Sequence, residues 1–124
     1  MEINNKYSEI YCKLSYETAI VVFLKKNGDI RTMLATRNLN TAGLLYGFMG
    51  RELGGHDNRC NITNGNLAII DLILGQARSF NIERLIDIGY LGVLNTKEEV
   101  EKAILAFEEF KAKYEANRIS VDEL

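Results

Sequence analysis

The stretch at residues 67–92, LAIIDLILGQARSFNIERLIDIGYLG, constrains the fold of this chain more than any other. Three short apolar runs, at 67–73, 78–82 and 85–91, are separated by Leu74-Gly75-Gln76 and by Glu83-Arg84. Short runs rich in Ile and Leu and punctuated at a glycine read as successive β-strands joined by tight turns. Inside them sit residues that a purely structural meander does not require: Asp71, Arg78, Ser79, Phe80 and Asn81. An arginine, an aromatic of the exposed type and an amide within four residues supply the parts of a small-molecule or nucleotide contact.

The flanking sequence completes the fold class. Asn4 and Asn5 precede Tyr7, Ile10, Tyr11 and Leu14 at helical spacing, which predicts a short Asn-capped helix over about 5–15. The run at 19–25, AIVVFLK, is apolar on both faces and predicts a buried strand. Asn27-Gly28 then predicts a hairpin returning over 30–36. From 37 to 66 periodicity is lost. That segment holds six of the ten glycines and predicts an ordered loop, the kind of element on which binding residues concentrate. Thr96 and Glu99 form a capping box ahead of a stripe of Val100, Ala103, Ile104, Phe107, Phe110 and Tyr114, so a helix is predicted over about 96–116, ending near Asn117. The expected architecture is α+β: a small antiparallel β-sheet or barrel-like core at about 19–92, with a short N-terminal and a long C-terminal helix.

A length of 124 residues suits a single domain spanning 1–124. Fifteen basic residues face 17 acidic ones, a net charge of −2, so there is no overall electrostatic footprint for duplex DNA, although a local basic pocket remains open. No run approaches the ~18 apolar residues of a membrane helix, and no signal-peptide pattern is present. The two cysteines, Cys12 and Cys60, are too few for a disulfide scaffold, so the expected setting is cytosolic and reducing. Proline is absent, which removes one means of protecting edge strands, and self-association could cover them instead.

Enzyme chemistry is not expected. His56 is the only histidine, and with Asp57 and Cys60 it makes one half of a zinc site without the second ligand pair. A Cys60–His56 dyad lacks a specified third group and oxyanion hole. The motifs GxSxG, GxGxxG and GxxxxGK[ST] do not occur. No metal and no cofactor is expected. The candidate ligand-binding set is Arg37, Asn38, His56, Asn58, Arg59, Asn61, Arg78, Phe80 and Asn81. Arginine forks match phosphate oxygens, asparagine can pair adenine edges, and an aromatic face can stack on a base. The competing structural reading makes the asparagines turn residues, the arginines surface charges and Phe80 core.

Two segments resemble a family of small phage proteins with an Sm-like, SH3-type β-barrel, the second WYL-type domain. VVFLKKNGDIRTMLATRNL resembles that family's lysine-rich hairpin and Arg-x-Met strand, and NLAIIDLILGQARSFNIERLIDI is similar to its Asp strand, Arg-Ser-Phe strand and closing Ile-rich strand. The resemblance covers about 20–37 and 66–88. It departs at Ala77, where the family commonly has Trp, and neither the Gly/Asn-rich insert nor the capped C-terminal helix belongs to the barrel pattern. Over the whole length, TMLATRNL, GGHDNRCN and ARSFNIERL resemble the first family of Thoeris anti-defence proteins. That resemblance implies a homo-oligomeric phage sponge for cyclic ADP-ribose isomers, some members also holding cyclic oligonucleotides at a separate site. Under it, Arg37, Arg59 and Arg78 would bind phosphates and Phe80 would stack. Asn58, Asn61 and Asn81 would read base or ribose edges, and His56 would hold the loop or donate to a phosphate. The rival expectation is an Sm-like module that binds single-stranded nucleic acid or a host regulatory protein.

Overall fold

The computed structural model describes residues 2–38 and 64–123, with side chains described for 5–38 and 64–115. Helix α1 (Glu2–Tyr16) starts ahead of the predicted cap, so Asn4 and Asn5 lie inside it. Its buried face is Tyr7, Ile10 and Leu14, and the Tyr7 hydroxyl donates to the Asn66 carbonyl at 2.7 Å.

Strands β1 (Thr18–Leu24) and β2 (Ile30–Thr36) pair antiparallel from Thr18↔Thr36 to Leu24↔Ile30. Asn27-Gly28 marks their turn as expected, but no described non-glycine residue has a positive φ, which rules out the mirror-image two-residue turn. Gly28 N–H instead donates to the Lys25 carbonyl at 3.0 Å, and Lys25 N–H donates to the Asp29 carbonyl at 2.7 Å. With Gly28 at φ 91°, the loop is three residues long and closes on a glycine bulge.

Strands β3 (Asn66–Asp71) and β4 (Gln76–Asn81) pair from Asn66↔Asn81 to Asp71↔Gln76. A 3-10 turn (Ile82–Arg84) then leads into β5 (Leu85–Gly92), which crosses back to pair with β1. The strand order is β4-β3-β2-β1-β5, all antiparallel. β1 has partners on both sides, and its first six residues are buried.

The alternation of β1 and β2 sends side chains to two separate apolar layers. Ala19, Val21, Phe23, Met33 and Ala35 pack with Leu67, Ile69, Phe80 and α1. Ile20 and Leu34 pack with Ile70, Leu72 and the second helix, α2 (Lys97–Glu123), through Val100, Ala103 and Phe107. The fold is therefore α+β, the described residues forming a five-stranded antiparallel sheet with a short helix and a long one.

The capping box forms as read: Glu99 N–H donates to Thr96 Oγ1 at 3.1 Å, and the Thr96 hydroxyl donates to Glu99 Oε1 at 3.1 Å. The helix continues past Asn117 to Glu123, because the intervening sequence contains neither glycine nor proline. Among the described residues no helix is long and apolar enough to cross a membrane.

The far half of α2 is seated on β5. A Cβ built on Gly89 would lie 2.9 Å from Phe110 Cζ, so the absent side chain is what lets the ring approach the strand. Gly89→Val is expected to cost about 1–3 kcal/mol by overpacking, read as a lower urea midpoint. Phe110→Leu in that background should recover part of the loss.

Four residues on, the Tyr114 hydroxyl donates to Asp87 Oδ2. That hydrogen bond raises the phenol above its ordinary 10.0, with desolvation and the Asp87 charge adding to the effect. The fold thus favours the protonated phenol. Its stabilisation is complete below pH 10.0 and is lost as pH rises through the elevated value. Tyr114→Phe should flatten the stability profile above pH 10.0 relative to the parent, measured by urea unfolding across alkaline pH.

Candidate functional site

A groove of about 500 Å³ opens between the tip of the β1–β2 hairpin and strand β4. Sequence explains its two walls. The Lys25-Lys26-Asn27 tip projects from one hairpin, and on the neighbouring hairpin Arg78 to Asn81 run along the edge of the sheet. The floor is apolar: Phe23 and Phe80 meet at 5.6 Å between ring centroids, and Met33 is buried beside them.

Among the described residues, five cations line the groove, Lys25, Lys26, Arg31, Arg78 and Arg84, and no carboxylate does. In a chain of net charge −2 this is a strong local concentration of positive charge. The guanidinium groups are partly oriented. Arg84 Nη1 donates to the Lys25 carbonyl at 3.1 Å, tying the 3-10 turn to the hairpin tip. Arg78 Nη2 donates to Gln76 Oε1 at 2.8 Å, and Arg31 Nη2 stands 3.6 Å from Asp71 Oδ2 just outside the groove. Each arginine keeps further N–H groups for an anionic guest.

Three of the sequence-predicted site residues meet here: Arg78, Phe80 and Asn81. Only Arg78 is free to play the role expected of it. Phe80 is 3% exposed and packs on Phe23, so it forms floor rather than an open stacking face. Asn81 is committed to the fold, since its Oδ1 accepts from Glu83 N–H at 2.9 Å and its Nδ2 donates to the Asn64 carbonyl at 2.7 Å.

Arg37 and Asn38 are placed elsewhere. Arg37 donates to the Ala68 carbonyl and lies 4.6 Å over the Tyr11 ring, while Asn38 Nδ2 donates to the Tyr16 carbonyl at 3.2 Å. Both join α1 to the sheet and neither lines the groove. His56, Asn58, Arg59 and Asn61, with Asp57 and Cys60, lie outside the described residues.

Asp71 also has a structural post: its Oδ1 accepts from Ile73 and Leu74 N–H at 3.0 and 3.1 Å, closing the β3–β4 turn. Sequence reasoning left Lys25, Lys26, Arg31 and Arg84 out of the site. A signal was available for Lys26, which immediately precedes the Asn-Gly turn; Arg31 comes opposite Phe23 only through the three-residue loop, since a two-residue turn would set Thr32 there.

Among the described residues, no group of three or more His, Cys, Asp and Glu is arranged to hold a metal ion. Comparison of the chain with family models, with curated proteins and with solved structures finds no match.

Proposed function

We propose that this chain is a phage or prophage anti-defence protein that binds a cyclic ADP-ribose-type signal, or a related cyclic oligonucleotide, and holds it without degrading it. The observation that carries this reading is the groove itself, five cations around an apolar aromatic floor. Its volume of about 500 Å³ falls in the range of small-molecule sites. Charge-assisted hydrogen bonds to phosphate contribute ~1.5–3 kcal/mol each. Several of them, with one base laid on the exposed Leu24 at the edge of the apolar floor, approach the roughly −11 kcal/mol that a dissociation constant of ~10 nM requires. Capture of this kind needs complementary charge and shape and no proton transfer. The protein works on this reading as a homo-oligomer in the bacterial cytoplasm.

The test is mass spectrometry of what the purified protein releases on heating, after incubation with the products of an active TIR-domain enzyme. Recovery of an intact cyclic ADP-ribose isomer, lost in Arg78→Ala, supports capture. Cleaved nucleotide would make the protein an enzyme. No nucleotide, together with retention of a single-stranded oligonucleotide in a gel shift at low and moderate salt, would replace the reading with an Sm-like nucleic-acid module.

A further inference from the structure

The two outer edges of the sheet are treated differently. On β5, the Ile88 N–H is taken by the Asp87 carboxylate at 2.8 Å and the Gly92 N–H by Glu17 Oε1 at 3.1 Å. Its register with β1 also shifts in two places. Carboxylates and bulges on an edge strand keep other chains from pairing with it. β4 carries none of these guards. It pairs with β3 in unbroken register from end to end, and it contains no proline, lysine or carboxylate.

One bond fixes which backbone groups of β4 face outward. Ile82 N–H donates to the Gly65 carbonyl at 2.9 Å. In that register Gln76, Arg78 and Phe80 bond to β3, while Ala77 and Ser79 turn their N–H and C=O groups away from it. Among the described residues, none meets those outward groups. Ser79 is exposed and Ala77 half-buried, so a docking strand can reach them. The side chains add charge of one sign. Arg78 is exposed on the groove face, held along the strand by Gln76, and the groove beside it adds Lys25, Lys26 and Arg84 without a described carboxylate.

We infer that the β4 edge docks an extended, acidic segment of a partner protein, which adds to the sheet as a sixth strand. Pairing with the Ala77 and Ser79 backbone supplies affinity that is indifferent to sequence. Carboxylates at alternate positions of the segment fall on the groove face, where they meet Arg78 and the cations behind it, and these supply the selection. A second copy joined β4 to β4 would bring two Arg78 side chains and two cationic grooves together, so charge disfavours that occupant. A nucleotide in the groove has no strand to pair with Ala77 and Ser79, so this site is separable from the capture reading.

Fluorescence anisotropy of the full-length protein with a labelled peptide alternating Glu and Val tests this, against the same peptide carrying Lys in place of Glu. Saturable binding of the acidic peptide at ~10–100 μM is expected. The Lys peptide should bind at least about tenfold more weakly, and Arg78→Ala should weaken the acidic one several-fold. N-methylation of one alternate set of peptide residues should abolish binding, and of the other set leave it, because only one set turns its N–H groups to β4. Ala77→Pro removes an outward N–H where an edge strand accepts proline, so it should keep a folded far-UV spectrum and lose the peptide. The methylated peptides decide the matter alone if that variant does not fold. The inference is overturned if the Lys peptide binds as well as the acidic one, or if the two methylated sets behave alike. It is also overturned if Ala77→Pro dissociates a self-associated form of the protein in sedimentation, which would put a second copy on this edge.

Discussion

Lys26→Ala combined with Arg78→Ala should weaken binding of the cyclic nucleotide by about 10²-fold, with the melting temperature nearly unchanged. Both side chains are exposed at the rim of the groove, so their removal leaves no cavity in the core. The magnitude takes ~1.5 kcal/mol for each charge-assisted contact, the low end of the usual range, because water screens both groups. Calorimetric titration of the parent, the two single variants and the double variant checks it. A double variant that binds as the parent does would remove the groove from the mechanism. Phe80→Ala is a poorer probe of the same site: the ring is buried against Phe23, and its loss should cost ~3–5 kcal/mol of stability before any effect on binding can be read.

The largest stability effect from a single polar residue is expected at Asp71. Its carboxylate is buried, accepts two backbone N–H groups of the β3–β4 turn and lies beside Arg31. Asp71→Ala strands those donors and should destabilise the fold by about 2–4 kcal/mol. Asp71→Asn keeps an amide oxygen in the position of Oδ1 and loses only the charge, so most of the stability should remain. Urea unfolding of the two variants separates the roles. Equal losses would mean that the ion pair with Arg31, rather than the turn, is what Asp71 supports.

Asp71 also shows why the sequence revealed more of the fold than of the site. The hairpins, α1 and the Thr96–Glu99 cap are local patterns of apolar spacing, turn residues and capping side chains, and each lay within a few residues of its cause. Side-chain roles depend on neighbours that are distant in the chain. Asp71, Phe80 and Asn81 looked like functional extras to a meander, yet a turn, an aromatic pair and a capped 3-10 turn account for them. Arg37 likewise spends its guanidinium on the Ala68 carbonyl and the Tyr11 ring. Arg78 lines the groove because it stands on an edge strand whose outer side is not paired to any other described strand. The cations that joined it come from the hairpin tip, from β2 and from the 3-10 turn, and only the folded sheet brings these together. α2 runs beyond the expected end near Asn117 for a simpler reason, since the chain from there to Glu123 holds no glycine or proline to break it.

The position of β1 has a consequence for synthesis of the chain. One long edge of this strand is matched locally by β2, but the other waits for β5, whose Gly89 pairs with Ile20. A nascent chain that has released residue 36 still needs 56 more residues before Gly92 is made, roughly 3–11 s at ordinary elongation rates. During that interval the segment AIVVF, with neither proline nor charge to guard it, offers an unpaired apolar edge to other nascent chains. Yield on expression should therefore respond to elongation speed and to chaperone supply more than the stability of the finished protein would suggest.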